Sequence, residues 1–137
     1  MDLILVEIGK ILDLGAFYLG TKGTCGNPRV RPMRSNIVHN GKLYIGTTPS
    51  KNLYKHITQH SGVEICISTA DILALRVRGE ARVVNHIDAK EALMAKYDRI
   101  AKVFDSNPNH PDFAIFYLEN ISARLQDFDG NVFTYKE

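Results

Sequence analysis

Leu73-Ala74-Leu75-Arg76-Val77-Arg78-Gly79-Glu80-Ala81-Arg82-Val83-Val84 is the stretch that decides the fold class. Leu73, Leu75, Val77, Ala81 and Val83 alternate with Arg76, Arg78, Glu80 and Arg82, the period of two of a strand with one face buried. Gly79 interrupts the run and predicts a bulge or a close backbone approach. Outward from this strand, residues 63–68 are a β-branched run and residues 17–21 a short apolar one. Asn40-Gly41 stands between two strand-like segments, 29–38 and 42–46, the strongest short-range hairpin signal. Downstream, residues 113–118 and 122–128 read as two strands, and Asp129-Gly130 turns into a last one at 131–135.

Helical periods are fewer. Leu5, Ile8, Ile11 and Leu12 predict an amphipathic helix over 2–13, and Leu53 and Ile57 one over 50–60. Asp88-Ala89-Lys90-Glu91 reads as an Asp variant of the capping box, opening a helix over 88–103 with Leu93, Tyr97, Ile100 and Phe104 on one face. The loop at 105–111 is polar and carries prolines. Six to eight strands in mostly hairpin order with about three flanking helices predict a mainly β (α+β) architecture, an antiparallel barrel with helices packed outside it. With no internal repeat or linker, residues 1–137 read as a single domain.

Bulk properties narrow the function. The 137 residues are 45% hydrophobic and 23% charged, as in an ordinary globular protein. A net charge of +2 argues against nucleic acid as a partner, and no apolar run approaches the roughly 20 residues needed to cross a bilayer. Met1-Asp2 opens without the basic region of a secretory signal, and Cys25 and Cys66 lack a CxxC partner; a reducing cytoplasm is the expectation. Cys66 falls inside a strand and reads as a small buried hydrophobe, whereas Cys25 lies in an exposed loop and is the more reactive thiol. His56 and His60 are four apart on a helix, a spacing too weak to argue for a metal; none is expected.

Two segments carry candidate chemistry. Arg29-Val30-Arg31-Pro32-Met33-Arg34 is a strand bearing arginines, and Tyr44-Ile45-Gly46-Thr47-Thr48-Pro49-Ser50-Lys51 is a strand breaking into a helix. Thr48 is a good N-cap and Pro49 suits the first helical position, leaving the amides of Ser50 and Lys51 at the positive helix end. That end, Lys51 and a strand arginine make a candidate anion site; the plainer alternative is a capped helix with solvated charges. Arg76 and Arg78 are a second basic pair, most simply the solvated face of a strand.

The ordered set Arg-x-Arg-Pro-Met (29–33), Leu-Tyr-Ile-Gly-Thr-Thr-Pro-Ser-Lys (43–51), Val-Glu-Ile-Cys-Ile-Ser (63–68) and Leu-Arg-Val-Arg-Gly-Glu-Ala (75–81) resembles the pyridoxamine 5'-phosphate oxidase-like flavoproteins over residues 17–117. The resemblance implies a split β-barrel that binds FMN at a homodimer interface. It implies that Arg31, with Arg29 and Arg34 as alternatives, holds the FMN phosphate together with Thr47, Thr48, Ser50 and Lys51. Backbone groups near Met33, Arg34 and Ser35 would edge the isoalloxazine ring, and Arg76 and Arg78 are candidates to reach the partner's phosphate. The chain departs from the family at its C-terminus, where no histidine follows His110, so the Arg-x-His substrate motif is missing and vitamin B6 phosphate oxidation is not the expected reaction. The implied function is an FMN-dependent oxidoreductase of unassigned small-molecule substrate, with a reductant such as NAD(P)H; no side chain is singled out as acid or base. The rivals are a flavin-binding electron carrier without turnover and a haem- or deazaflavin-binding member of the same barrel.

Overall fold

Asn40 and Gly41 both take positive φ, 48° and 75°, which is what a two-residue hairpin requires. This turn joins β3 (Ile37–His39) to β4 (Lys42–Thr47). The computed structural model describes residues 3–137, so the expected helix start at residue 2 lies outside the described residues. The other elements are α1 (Leu3–Leu12), β1 (Phe17–Lys22), β2 (Pro28–Met33), α2 (Asn52–Gln59), β5 (Gly62–Ile67), β6 (Ile72–Val84), α3 (Ile87–Lys96), α4 (Asp98–Val103), β7 (Ala114–Asp127) and β8 (Val132–Lys136).

The eight strands among the described residues pair antiparallel in the order β2-β1-β5-β6-β7-β4-β3, with β8 added to β7. The two ends of this order are β2 and β3, yet they are consecutive in the chain, joined only by Arg34-Ser35-Asn36. A sheet whose first and last strands are covalent neighbours must curl on itself. It closes without a hydrogen-bonded seam there, which is the split of a split barrel.

The concave side of the curl holds the main core. Alternation sends Leu19, Ile45, Ile65, Val77, Phe116 and Leu118 inward, and α1 adds Leu5, Ile8 and Leu12. A second core lies outside the barrel, where Tyr44, Phe113 and Ile115 pack against Ala89, Leu93, Ile100 and Phe104 of α3 and α4. β4 is therefore covered on both faces at Leu43, Tyr44 and Ile45.

Four expectations need correction. The strand expected over 29–38 is two, because residues 34–36 carry the chain across the split. The strands expected at 113–118 and 122–128 are one, β7, and Asn120 (φ 55°) is an extra residue bulged opposite Gly79. A Cβ on Gly79 would lie 3.0 Å from the Glu119 carbonyl oxygen, so this glycine marks both a bulge and a close approach. The third helix is two, for a total of four among the described residues, because Tyr97 is extended (φ −127°, ψ 101°) between α3 and α4. Its hydroxyl is drawn to Asn36, accepting from the amide at 3.1 Å and donating to the carbonyl at 3.3 Å. The cap of α3 is likewise His86, whose Nδ1 accepts from the Ala89 amide, and not Asp88.

Candidate functional site

The split is built to be held open on one side. Asn36 is buried and donates from Nδ2 to Asp13 Oδ1 at 2.9 Å; Lys96 Nζ donates to the same carboxylate and to the Asn36 carbonyl. Arg99 Nη2 donates to the Arg34 carbonyl at 3.0 Å while its guanidinium lies over the Tyr97 ring. The end of α1 and the α3–α4 junction thus pin the 34–36 segment from outside, and a cleft lies between Met33–Ser35, the end of β4 and α4.

That cleft has a volume of about 490 Å³, within the roughly 300–1,000 Å³ of small-molecule sites. One wall is polar strand and turn: Met33, Arg34 and Ser35, then Gly46, Thr47, Thr48 and Lys51. The opposite wall is largely apolar, from Ile100, Val103 and Phe104 of α4 with Phe113, and Arg99 of the same helix also lines the cleft. A smaller cleft of about 270 Å³ continues from it, sharing Pro32, Met33, Gly46, Thr47 and Lys51, and ends at Arg31, Asn52 and Leu53. The first turn of α2 therefore faces this inner end, where helix amides lack intrahelical acceptors and the dipole is positive.

Arg31 is fixed from behind. Its Nη1 donates to Thr21 Oγ1 at 2.9 Å and to the Leu19 carbonyl at 3.3 Å, and its Nη2 to His56 Nδ1 at 3.1 Å. A guanidinium can only donate, so His56 Nδ1 carries no proton and its hydrogen sits on Nε2. Thr21 Oγ1, which accepts from Arg31, lies 3.0 Å from the same His56 Nδ1 and shares its one lone pair with the Arg31 donor. Burial, and then the Arg31 and Arg29 charges, hold His56 below its ordinary pKa, and burial lowers that of Arg31. All the acceptors on Arg31 are neutral, so its charge is not cancelled by a carboxylate among the described residues.

Thr47 supplies a further observation. Its hydroxyl is buried where the two clefts meet and has no hydrogen-bond partner. A buried orphan hydroxyl costs roughly 1–3 kcal/mol, which a polar ligand atom would recover.

Of the residues expected from sequence, Met33, Arg34, Ser35, Thr47, Thr48 and Lys51 line the larger cleft and Arg31 the smaller. Arg29 and Ser50 line neither. Arg29 Nη2 donates to Cys25 Sγ at 3.4 Å in an exposed loop, and Ser50 pairs with Thr48 at 3.3 Å. The expected cap is corrected: Thr48 does not cap α2. Its carbonyl accepts from the Lys51 amide across a turn that Pro49 favours, and the helix begins two residues later with Lys51 as its uncapped N-cap. The apolar wall from α4 was missed, since Ile100 and Phe104 read simply as core, and nothing local distinguishes core from cleft. His56 and Thr21 were missed as partners of Arg31 because they meet it only through the β1–β2 and β1–α2 contacts.

Other candidates resolve plainly. His56 is buried and His60 exposed, and no group of three or more His, Cys, Asp or Glu is brought together among the described residues. Cys66 is corrected from buried to half-buried on the outward face of β5, because Val63, Ile65 and Ile67 take the inward positions. Cys25 is exposed, and hydrogen bonding from the Asn27 backbone, with Arg29 adding to it, lowers its pKa. No helix among the described residues is long and apolar enough to cross a membrane.

The whole chain resembles known structures in fold. A NimC/NimA family protein from Clostridium acetobutylicum superimposes with a TM-score of 0.83 at 24% identity, over 95% of this chain and 92% of that one. A protein from the same organism related to general stress protein 26, of the pyridoxinephosphate oxidase family, gives 0.71 at 18% identity over 99% and 96%. A heme-binding protein from Mycobacterium smegmatis gives 0.63 at 15% identity over 89% of this chain and 52% of that one. No curated protein matches the sequence at a significant level. At these identities the likenesses establish the barrel alone, but the sequence model described as pyridoxamine 5'-phosphate oxidase matches residues 10–127, and the chain belongs to that family.

Proposed function

We propose that this protein binds FMN in the paired clefts and acts as an FMN-dependent oxidoreductase. The observation that carries the reading is the buried, unpartnered Thr47 hydroxyl at the junction of a cationic inner cleft and a larger cleft with an apolar wall. Arg31, Lys51 and the first turn of α2 suit a phosphate at the inner end. Thr47 suits a ribityl or phosphate oxygen. Met33, Arg34 and Ser35 suit the polar edge of a flat ring whose face rests on Ile100, Val103 and Phe104. When bound, the flavin supplies hydride and electron transfer, while this chain grips the phosphate, orients the ring and excludes water.

The substrate remains an unassigned small molecule, with NAD(P)H as reductant. The apolar wall stands on α4 at one rim, and Val103 there is exposed, so a second subunit closing over this side completes the site; we propose a homodimer with flavin at its interface. Haem fits less well, because no histidine, cysteine or tyrosine lines either cleft and Met33 is the one residue there of a type that ligates haem iron. Purified protein reconstituted with FMN is expected to be yellow, to hold FMN far more tightly than riboflavin, and to sediment as a dimer. A colourless monomer indifferent to the phosphate would sink the reading. NAD(P)H oxidation by the reconstituted protein distinguishes an oxidoreductase from a flavin carrier.

A further inference from the structure

We infer that His56, working with Thr21, is the positioning residue that aims Arg31 at the ligand's phosphate and so sets this protein's preference for a phosphorylated cofactor. The inference rests on the phosphate lying at the inner cleft, as proposed above, and it assigns a role to a helix histidine that the cofactor itself does not touch.

The geometry is a closed triangle. Arg31 Nη1 reaches Thr21 Oγ1, Arg31 Nη2 reaches His56 Nδ1, and Thr21 Oγ1 is 3.0 Å from His56 Nδ1. Thr21 and His56 are 6% and 5% exposed, so this is a built interior arrangement and not a chance surface contact. Its three corners come from three elements, β1, β2 and α2, and α2 is the helix whose first turn lines the inner cleft. One side chain on that helix therefore fixes the guanidinium relative to the helix amides and Lys51.

The chemistry of the triangle matters as much as its shape. Had the anchor been a carboxylate, it would have pinned Arg31 equally well but neutralised it, and an incoming dianion would find little net field. Neutral acceptors hold the guanidinium still and leave its charge for the ligand. A guanidinium has five N–H donors in a planar fork, and the three contacts made here are from Nη1, twice, and Nη2, once, which leaves the Nε hydrogen and one on Nη2. The ordering is done before the ligand arrives, so the ligand does not bear that entropic cost.

The test is the ratio of FMN to riboflavin affinity in wild type, His56→Leu, His56→Asn and Arg31→Ala, each first shown to fold by thermal melting. Wild type is expected to prefer FMN strongly. His56→Leu removes the acceptor and is expected to lower that preference by about tenfold with riboflavin affinity unchanged. His56→Asn, whose amide oxygen can stand where Nδ1 stood, is expected to restore most of it. In the Arg31→Ala background, His56→Leu should cost nothing further. A full preference retained in His56→Leu overturns the inference while leaving the flavin reading intact. Equal loss for FMN and riboflavin also overturns it, by making His56 merely structural. Wild type without a preference for FMN overturns the flavin reading and this inference with it.

Discussion

Two arginine pairs with the same spacing, Arg29-Val30-Arg31 on β2 and Arg76-Val77-Arg78 on β6, end in opposite situations. Arg31 points into the barrel's inner cleft and is held by Thr21, His56 and the Leu19 carbonyl. Arg76 and Arg78 stand on the convex face, exposed, and make no side-chain hydrogen bond or ion pair among the described residues. Arg76 is even in register with Arg124, a like charge directly across the ladder. Alternation determines which face a side chain takes. Whether the fold then organises it depends on neighbours distant in the chain, and that organisation is what separates a binding cation from a solvated one.

The largest expected effect breaks the comparison if it fails. Arg31→Ala or Lys51→Ala removes a charge-assisted hydrogen bond worth about 1.5–3 kcal/mol, so FMN should bind roughly ten- to over a hundredfold more weakly, with riboflavin little changed. Paired titrations of the two flavins measure this. Equal losses for both ligands would point to a ring-site or folding defect, and unchanged FMN affinity in both variants would move the phosphate away from the inner cleft.

Much of this architecture is legible in the sequence, and the exceptions share a cause. The Asn40-Gly41 turn is a local signal that holds in the structure, and the alternation of β6 holds at Leu75, Val77 and Ala81, while Leu73 and Val83, expected on the same buried face, are exposed at the strand's two ends. Most of the polar wall was visible too, since Met33 to Ser35 and Thr47 to Lys51 are contiguous segments. The misread elements are those where a tertiary demand overrides local pattern. Asn120 looks like a turn residue but bulges a continuous strand around Gly79, and Tyr97 sits in a helical period but leaves it to reach Asn36. The α4 wall and the Thr21–Arg31–His56 triangle depend on which strands become neighbours, and no spacing in the chain encodes that.

The β6 region has its own specialised residue, which is structural. Gly79→Ala would press a Cβ to 3.0 Å of backbone oxygen and 3.3 Å of Leu118 Cβ, so β6 or β7 must shift. A destabilisation of roughly 1–3 kcal/mol is expected by denaturant unfolding, with the FMN-to-riboflavin ratio preserved. A lost ratio at wild-type stability would show that the convex strand takes part in binding after all.

Acidification tests the inner region without a ligand. His56 is held below its ordinary value by burial and by the charges of Arg31 and Arg29, with Thr21 the remaining polar neighbour. The folded state therefore binds fewer protons than the unfolded state, and stability rises with pH. The full contribution is present above about pH 6.5 and is lost as pH falls below that toward the depressed folded value. Melting temperatures of wild type and His56→Asn at pH 7.5 and 5.5 are the measurement. Wild type should lose more on acidification than the variant, and an equal drop would mean that His56 is not held neutral.

The smallest expected effect bears on the convex face itself. Arg76→Ala and Arg78→Ala remove exposed, unpartnered side chains, and surface changes of this kind usually stay within about 0.5 kcal/mol of wild type. Arg76→Ala also relieves the register contact with Arg124, so a slight gain in stability is the expected sign. FMN affinity should stay within about twofold of wild type, since 0.5 kcal/mol is little more than a factor of two. The outcome that would redraw the comparison is a tenfold loss of FMN but not riboflavin, together with an unchanged dimer. It would mean that the convex arginines of one subunit reach the phosphate held by the other, and that their freedom from local partners is what makes them available across the interface.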